Sequence, residues 1–320
     1  MTGYAAVVRQ PRATVTREEL CALAPALARR GPHGTSVVAD GAIGLVSALL
    51  DTGDRRLSPA WVHAGPFVVA GQVRVDAREQ LVDALRGAGT NASVDDPDVR
   101  LFAQGWLAWG DETPARVLGD YSVVVHDRRS HATTLVRDPF GVRMLYYHKD
   151  AARLLASNTL AALLAAGVPR DLDEDAIADV VAEGYNEDPA TTVFRAIRRV
   201  PPAHVLRIDA AGREAARRYW TLPAPPIDRS RDATEIVARF RAALEASVRD
   251  RIRCPSLTVF MSGGLDSTTL AAIAARELEH PARLVARTSH LPTLVPTDDT
   301  RRAELVAQSL GLGHVLSDVD

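Results

Sequence analysis

Six consecutive residues, Ser262-Gly-Gly-Leu-Asp-Ser267, combine the residue types that can hold a polyphosphate. They follow an apolar run from Leu257 to Met261 and precede a stretch of helical pattern at 268–278. In that setting the carboxyl end of a strand meets a helix N-terminus, whose free N–H groups and positive dipole end attract anions. Gly263 and Gly264 allow the backbone to curl into a concave nest of donors and to approach phosphates closely. Ser262 and Ser267 add hydroxyls at the rim, and the Leu265 N–H lies between them in the turn. Asp266 would repel a bare polyphosphate, so an acid here implies a bridging Mg²⁺. The spacing differs from G-x-x-x-x-G-K-[ST] and no lysine follows the glycines, which argues against γ-phosphoryl transfer. A loop gripping the β- and γ-phosphates of ATP suits attack at the α-phosphate, with pyrophosphate leaving and an acyl-adenylate formed. The bland alternative, a strand-to-helix turn with no ligand, suits a lone Gly-Gly better than six matched residues.

The elements around this loop follow a strand–helix alternation. Residues 235–253 place Ile236, Phe240, Leu244, Val248 and Ile252 at steps of four, one apolar helix face. After the loop come an apolar run at 283–288, a helical stretch at 300–310 stopped by Gly311, and a third run at 314–316. This predicts a parallel, doubly wound sheet over residues 230–320. A proline cluster, Leu222-Pro-Ala-Pro-Pro-Ile227, marks a linker at 221–229. Residues 1–220 read differently, as short β-branched or aromatic strands at 66–75, 121–126, 132–136 and 144–148. Helical stretches interrupt them at 17–30, 77–86, 97–109 and 176–182, which predicts an α+β layered domain.

Composition narrows the class. A net charge of −2 over 320 residues gives no electrostatic argument for nucleic acid or an anionic membrane as partner. No apolar run reaches the length of a spanning helix and residues 1–15 do not have the form of a signal peptide, so a cytoplasmic enzyme is expected. Cys21 and Cys254 are too few for a disulfide framework or a four-ligand zinc site and read as half-buried thiols. The nine histidines show no metal-ligand spacing, so no metal is expected beyond Mg²⁺. Lys149 is the single lysine, and it falls in a tyrosine-rich strand beside Tyr146 and Tyr147. Trp106 and Trp109, three apart, read as packing rather than a recognition platform.

The loop resembles the ATP-pyrophosphatase signature of the asparagine synthetase superfamily, and the segment from Asp298 to His314 is similar to that family's next helix and strand. By that resemblance Phe260, Met261 and Thr288 would line the adenine and ribose pocket. The loop would hold pyrophosphate and Asp266 would hold Mg²⁺. The expected fold is then an α+β, Ntn-type αββα glutaminase-like domain at 1–220, followed by an α/β parallel-sheet ATP-pyrophosphatase domain that is incomplete. Arg30-Gly-Pro-His-Gly34, Arg56-Leu-Ser58, Gly119-Asp-Tyr121, Arg137-Asp-Pro-Phe-Gly-Val142 and Ala156-Ser-Asn158 all resemble pieces of the glutaminase domain. In working members a cysteine after the initiator methionine is the nucleophile and its own α-amine the base. Here Thr2 stands there, and Ala70-Gly71 stands where the family places an oxyanion-hole Asn-Gly pair. Arg56 matches the arginine that clamps the glutamine carboxylate. Cys21, in a helical stretch, cannot replace the missing nucleophile. The first domain is therefore expected to be a scaffold without glutaminase activity.

Loss of that cysteine points, within the superfamily, to β-lactam synthetases or lasso-peptide cyclases. The stretches Tyr185-Asn-Glu-Asp188, Thr191-Thr-Val-Phe194, Arg198-Arg-Val-Pro-Pro-Ala-His204, Arg218-Tyr-Trp-Thr-Leu-Pro223 and Val248-Arg-Asp-Arg-Ile-Arg253 resemble the cyclases more closely. Such an enzyme adenylates an Asp or Glu side chain of a linear precursor peptide after leader removal, and the peptide's N-terminal amine closes an isopeptide ring. Implied partners are that peptide and the pathway's leader peptidase and leader-binding protein. Competing readings are an asparagine synthetase or β-lactam synthetase on a small carboxylate, or a non-catalytic scaffold paralogue. The superfamily's second pyrophosphate motif, catalytic lysine and helical substrate domain have no counterpart in 268–320, so either a truncated chain, the favoured expectation, or a split protein completed by a partner is implied, with weak ATP binding and no turnover expected of these 320 residues alone.

Overall fold

A computed structural model describes residues 2–9, 13–54, 56, 60–224, 232–278, 280–290 and 299–318. Leu57, Ser58, Asp298 and most of the expected linker fall outside the described residues. The chain divides into two compact units, Met1–Ala224 and Pro225–Asp320.

Unit 1 holds twelve strands among its described residues. They are β1 (Gly3–Arg9), β2 (Thr35–Asp40), β3 (Ile43–Ala48), β4 (Trp61–Ala64), β5 (Phe67–Val75), β6 (Gly119–Asp127), β7 (Thr133–Arg137), β8 (Tyr146–Lys149), β9 (Arg153–Ser157), β10 (Arg198–Arg199), β11 (His204–Ile208) and β12 (Glu214–Arg218). Its helices are α1 (Arg17–Cys21), α2 (Ala24–Leu27), α3 (Arg78–Gly87), α4 (Asp98–Trp109), α5 (Thr113–Arg116), α6 (Leu160–Ala165) and α7 (Glu174–Glu183). Two antiparallel six-stranded sheets form, ordered β10-β8-β9-β1-β3-β2 and β12-β11-β7-β6-β5-β4.

Strand alternation builds the layers. In β1, Tyr4, Ala6 and Val8 face a core shared with Val68, Ala70, Val124 and Leu135 of the other sheet. Ala5 and Val7 point the opposite way, into a cluster with Leu20, Leu27 and Leu163 from α1, α2 and α6. On the far side, Val69, Val73 and Val75 of β5 pack with Leu81, Val82, Leu85 and Phe102 of α3 and α4. The result is helix, sheet, sheet, helix. Each fully buried leucine or phenylalanine contributes roughly 1.5–3 kcal/mol relative to exposure.

Several elements differ from the sequence expectation. The single helix at 17–30 is two short ones, because Pro25 starts a new helix after α1 ends at Cys21. Cys21 is exposed rather than half-buried, while Cys254 is intermediate. Strands β1 to β3 are legible only in tertiary context. Trp106 is buried and Trp109 half-buried, with Arg116 stacked 5.1 Å over the Trp109 ring.

Unit 2 contains α8 (Ala233–Arg251), β13 (Leu257–Phe260), α9 (Leu265–Glu277), β14 (Leu284–His290), α10 (Asp299–Ser309) and β15 (Gly313–Asp318). The strands are parallel in the order β13-β14-β15. A doubly wound sheet reverses its strand order. No reversal occurs among the described strands, which run in the sequential order of one half of such a sheet. The helices meet it through small side chains, Ala271, Ala274 and Ala275 of α9 and Ala303 and Ala307 of α10. Of the expected α8 face, Val248 and Ile252 pack against this core, whereas Ile236 and Phe240 are exposed.

Candidate functional site

The loop at 261–267 is fixed first at its strand end. The Met261 N–H donates to the Arg287 carbonyl (2.9 Å), and the Met261 carbonyl accepts from Thr288 Oγ1 (2.7 Å). Thr288 Oγ1 also lies 2.9 Å from His314 Nε2, so the first residue of the loop is tied to β14 and, through it, to β15. Met261 and Thr288 are buried and Phe260 is 73% exposed. Of the three residues expected at the nucleoside, one is open and two brace the strand end from behind.

From there the chain turns. Gly263 adopts φ 77°, a left-handed conformation that favours glycine. Gly264 is extended at φ −79° and caps α9, its carbonyl accepting from the Thr268 N–H (3.2 Å) and Thr268 Oγ1 (2.9 Å). The positive-φ requirement therefore belongs to Gly263 alone. Ser267 Oγ accepts from the Ser262 N–H (3.2 Å) and donates to the Gly264 carbonyl (3.3 Å), closing the turn on itself. The first-turn N–H groups of Leu265, Asp266 and Ser267 have no intrahelical carbonyl four residues back to bond, as at any α-helix start. Leu265 and Asp266 are exposed at the tip. The arrangement is a shallow nest of backbone donors with one carboxylate beside it. Thr268, which sequence reasoning passed over, anchors the cap; its position directly after the motif was the available signal.

Among the described residues no group of three or more acidic, histidine or cysteine side chains could hold a metal. Asp266 alone therefore fits an ion shared with a polyphosphate, since Mg²⁺ is commonly held by one or two carboxylates plus phosphate oxygens. It does not fit a resident metal cage.

Unit 1 gathers distant motif pieces around residue 2. Asn158 Nδ2 donates to the Thr2 carbonyl (2.9 Å), Asn158 Oδ1 accepts from the Tyr4 N–H (3.0 Å), and Gln72 Oε1 lies 3.4 Å from Asn158 Nδ2. Thr2 Oγ1 accepts from the Leu50 N–H (3.3 Å), and Thr2 is buried. Ser157 Oγ donates to the Tyr4 carbonyl (2.7 Å). Gly31 sits where any Cβ would strike the Ala48 carbonyl. Ala70 points into the core between the sheets, and the Gly71 N–H donates to the Ala60 carbonyl (2.8 Å). Neither residue offers a free donor for an oxyanion. Arg56 is exposed, its N–H donating to Asp54 Oδ1 (3.1 Å). The role of Gln72, one residue past Gly71, was not visible in the sequence.

The remaining motifs of unit 1 form internal knots. The buried Arg137 guanidinium donates to the carbonyls of Gly141, Arg143 and Val200 at 2.7–2.8 Å, and burial pulls its pKa down. Asp138 accepts from the N–H groups of Phe140, Val142 and Arg143. Burial raises its pKa against the pull of those bonds. The Tyr121 hydroxyl donates to the Pro114 carbonyl (2.7 Å) and is pushed far above its ordinary range by burial. The Tyr219 hydroxyl donates to the Arg137 carbonyl (2.7 Å). Arg199 pins the 186–191 segment through the Pro189 and Thr191 carbonyls and Asn186 Oδ1. The stretches at 185–204 thus hold one another together. Lys149 pairs with Glu214 at 2.8 Å on the surface of unit 1.

Comparison with known proteins adds family information. A glutamine amidotransferase domain model matches residues 1–220, and an asparagine synthase model matches residues 239–320. A glutamine-hydrolysing asparagine synthetase 3 of Bacillus subtilis (strain 168) is 24% identical over 230 residues, covering 68% of this chain and 37% of that protein. A putative glutamine-hydrolysing asparagine synthetase of Mycobacterium tuberculosis (strain H37Rv) is 28% identical over 218 residues, 66% of this chain and 33% of that one. Asparagine synthetase 2 of B. subtilis is 22% identical across 98% of this chain and 43% of its own. The chain thus spans less than half the length of these curated relatives. Among solved structures, the B. subtilis glutamine phosphoribosylpyrophosphate amidotransferase complexed with ADP and GMP aligns with 98% of this chain and 65% of its own. It does so at 13% identity and a TM-score of 0.48.

Proposed function

The chain belongs to the asparagine synthetase family, a glutamine amidotransferase domain followed by an asparagine synthase segment, and on that premise we propose that it serves an ATP-dependent carbon–nitrogen ligase. The substrate carboxylate attacks the α-phosphorus of ATP, pyrophosphate leaves, and an amine then displaces AMP from the acyl-adenylate. The observation that carries this reading is the loop between β13 and α9, a nest of N–H donors with Gly263 at positive φ and Asp266 exposed beside it. Ser262, Gly263, Gly264, Leu265, Asp266 and Ser267 would hold the β- and γ-phosphates. Phe260 would meet the nucleoside, with Met261 and Thr288 bracing the strand end beneath it. Mg²⁺ shared between Asp266 and the phosphates would neutralise charge on the leaving pyrophosphate.

Thr2, Ala70 and the occupied Gly71 N–H support an amine other than glutamine-derived ammonia. The specific proposal is isopeptide ring closure in a lasso peptide. The linear precursor peptide after leader removal would be the substrate, and the leader peptidase and leader-binding protein its pathway partners. A second reading, synthesis of an amide from a small carboxylate, is favoured by the relatives named asparagine synthetase.

Calorimetric titration of the chain with ATP and Mg²⁺ tests the core of the proposal. Asp266→Ala is expected to weaken binding about tenfold or more; equal affinity would make the loop structural. Glutamine hydrolysis by the purified protein would overturn the scaffold reading of unit 1.

A further inference from the structure

The phosphate loop is bounded by a helix that its six-residue motif does not contain. A Cβ added at Gly263 would lie 2.7 Å from Arg302 Cβ, 2.7 Å from the Asp299 carbonyl oxygen and 2.9 Å from the Ala303 nitrogen. The Gly263 backbone is thus pressed against the first turn of α10. That turn reads Asp299-Thr-Arg-Arg302, so two cations occupy the positive end of a helix dipole, where they are disfavoured. Both arginines are exposed, and among the described residues neither has a hydrogen-bond or ion-pair partner. No ion pair joins Arg302 even to Asp299 on its own turn. A charge set against its local field without a counter-charge is the kind of rule-breaking that collects at functional sites.

We propose that Arg302 is a phosphate-binding residue of this nucleotide site. Its side chain starts in contact with Gly263 and is long enough to bring the guanidinium over the Gly263–Gly264 turn. There its planar fork matches two oxygens of a pyrophosphate group, a geometry that lysine does not reproduce. The charge that looks misplaced on the helix would then be satisfied by the ligand, and it would stabilise pyrophosphate as the leaving group. Arg301, about 100° further round the helix, lacks the contact with Gly263 and serves as an internal control. The proposal rests on the reading of the loop as the grip for the phosphates of ATP.

Titration of the whole chain with inorganic pyrophosphate and Mg²⁺, and separately with ATP and Mg²⁺, tests it. Arg302→Ala is expected to lower pyrophosphate affinity about tenfold or more, with Arg302→Lys restoring part of it and an unchanged melting temperature showing that the fold is intact. Arg301→Ala should stay within about twofold of wild type. Wild-type affinity in Arg302→Ala overturns the assignment, as does an equal loss in Arg301→Ala, which would mean a diffuse field rather than a contact. If the unaltered chain binds neither pyrophosphate nor ATP, the reading of the loop itself falls, and Arg302 with it.

Discussion

The loop of unit 2 and the surroundings of Thr2 in unit 1 are both built from motif residues, yet they use their polar groups in opposite ways. Around Thr2 the hydroxyl, carbonyl and amide groups are bonded to one another: Asn158 to Thr2 and Tyr4, Leu50 to Thr2, Gly71 to Ala60. At 261–267 the strand end is tied down by Thr288, but the first-turn N–H groups and Asp266 face outward. A site that can bind must keep some polar groups without protein partners. Groups that only hold a fold together are paired with one another, because a buried polar group left unpaired costs about 1–3 kcal/mol. By this measure the proposed phosphate loop of unit 2 keeps groups for a ligand, whereas the polar groups around Thr2 are taken up within unit 1, as the proposed scaffold role requires.

Gly263→Ala should abolish measurable ATP·Mg²⁺ binding, since its Cβ collides with α10 and the left-handed φ disfavours alanine. Retained affinity by calorimetry would mean that the loop geometry is not what binds.

Acid should act on unit 1. Burial, helped by His131, pushes the pKa of His126 from 6.5 down to about 4. Between those values the unfolded chain binds more protons than the folded one. The contribution of neutral His126 is therefore complete above pH 6.5 and is lost, up to about 3 kcal/mol, as the pH falls towards 4. All four tryptophans, Trp61, Trp106, Trp109 and Trp220, lie in unit 1, so urea melts followed by fluorescence report on it selectively. His126→Gln should flatten that pH dependence; an unaltered slope would assign the acid sensitivity elsewhere.

A smaller change is expected from Asn158→Ala, which orphans the Tyr4 N–H and the Thr2 carbonyl. It should cost about 1–3 kcal/mol in the same melts and leave ATP titrations unmoved. A loss of ATP affinity would show that unit 1 supports the nucleotide site. The smallest expected effect is none: Thr2→Cys should yield no glutaminase activity, because Ala70 and the bonded Gly71 N–H still supply no oxyanion donor. Ammonia release by that variant would show that only the nucleophile had been lost.

Much of this was legible beforehand, for identifiable reasons. The loop was readable because its function depends on contiguous residues in a local strand–turn–helix. The helical stretches at 77–86, 97–109 and 268–278 correspond to α3, α4 and α9, and β5 to β7 carried dense β-branched runs. Strands β1 and β3 were missed because their alternation serves two cores at once, so that Ala5 and Val7 are as buried as Tyr4 and Ala6, and β2 because it is an edge strand with no buried residue. The α8 face was over-read, since a four-residue step says which side is apolar and not whether anything packs against it. Arg302 escaped notice because its closeness to Gly263 is created by the fold, across nearly forty positions of chain.

The place of β1 inside its sheet has a consequence for how the protein is made. Ala5 pairs with Ser157 and Ala48 pairs with Gly3, so the central strand made first must wait for β9 before its second edge is covered. Contacts of such long sequence separation close slowly, and an uncovered strand edge invites pairing with other chains. Unit 2 is stitched from neighbouring strand–helix turns and carries no comparable delay. Substitutions that loosen the β1–β9 seam should therefore show first as loss of soluble yield during synthesis, before any effect on the mature molecule can be measured.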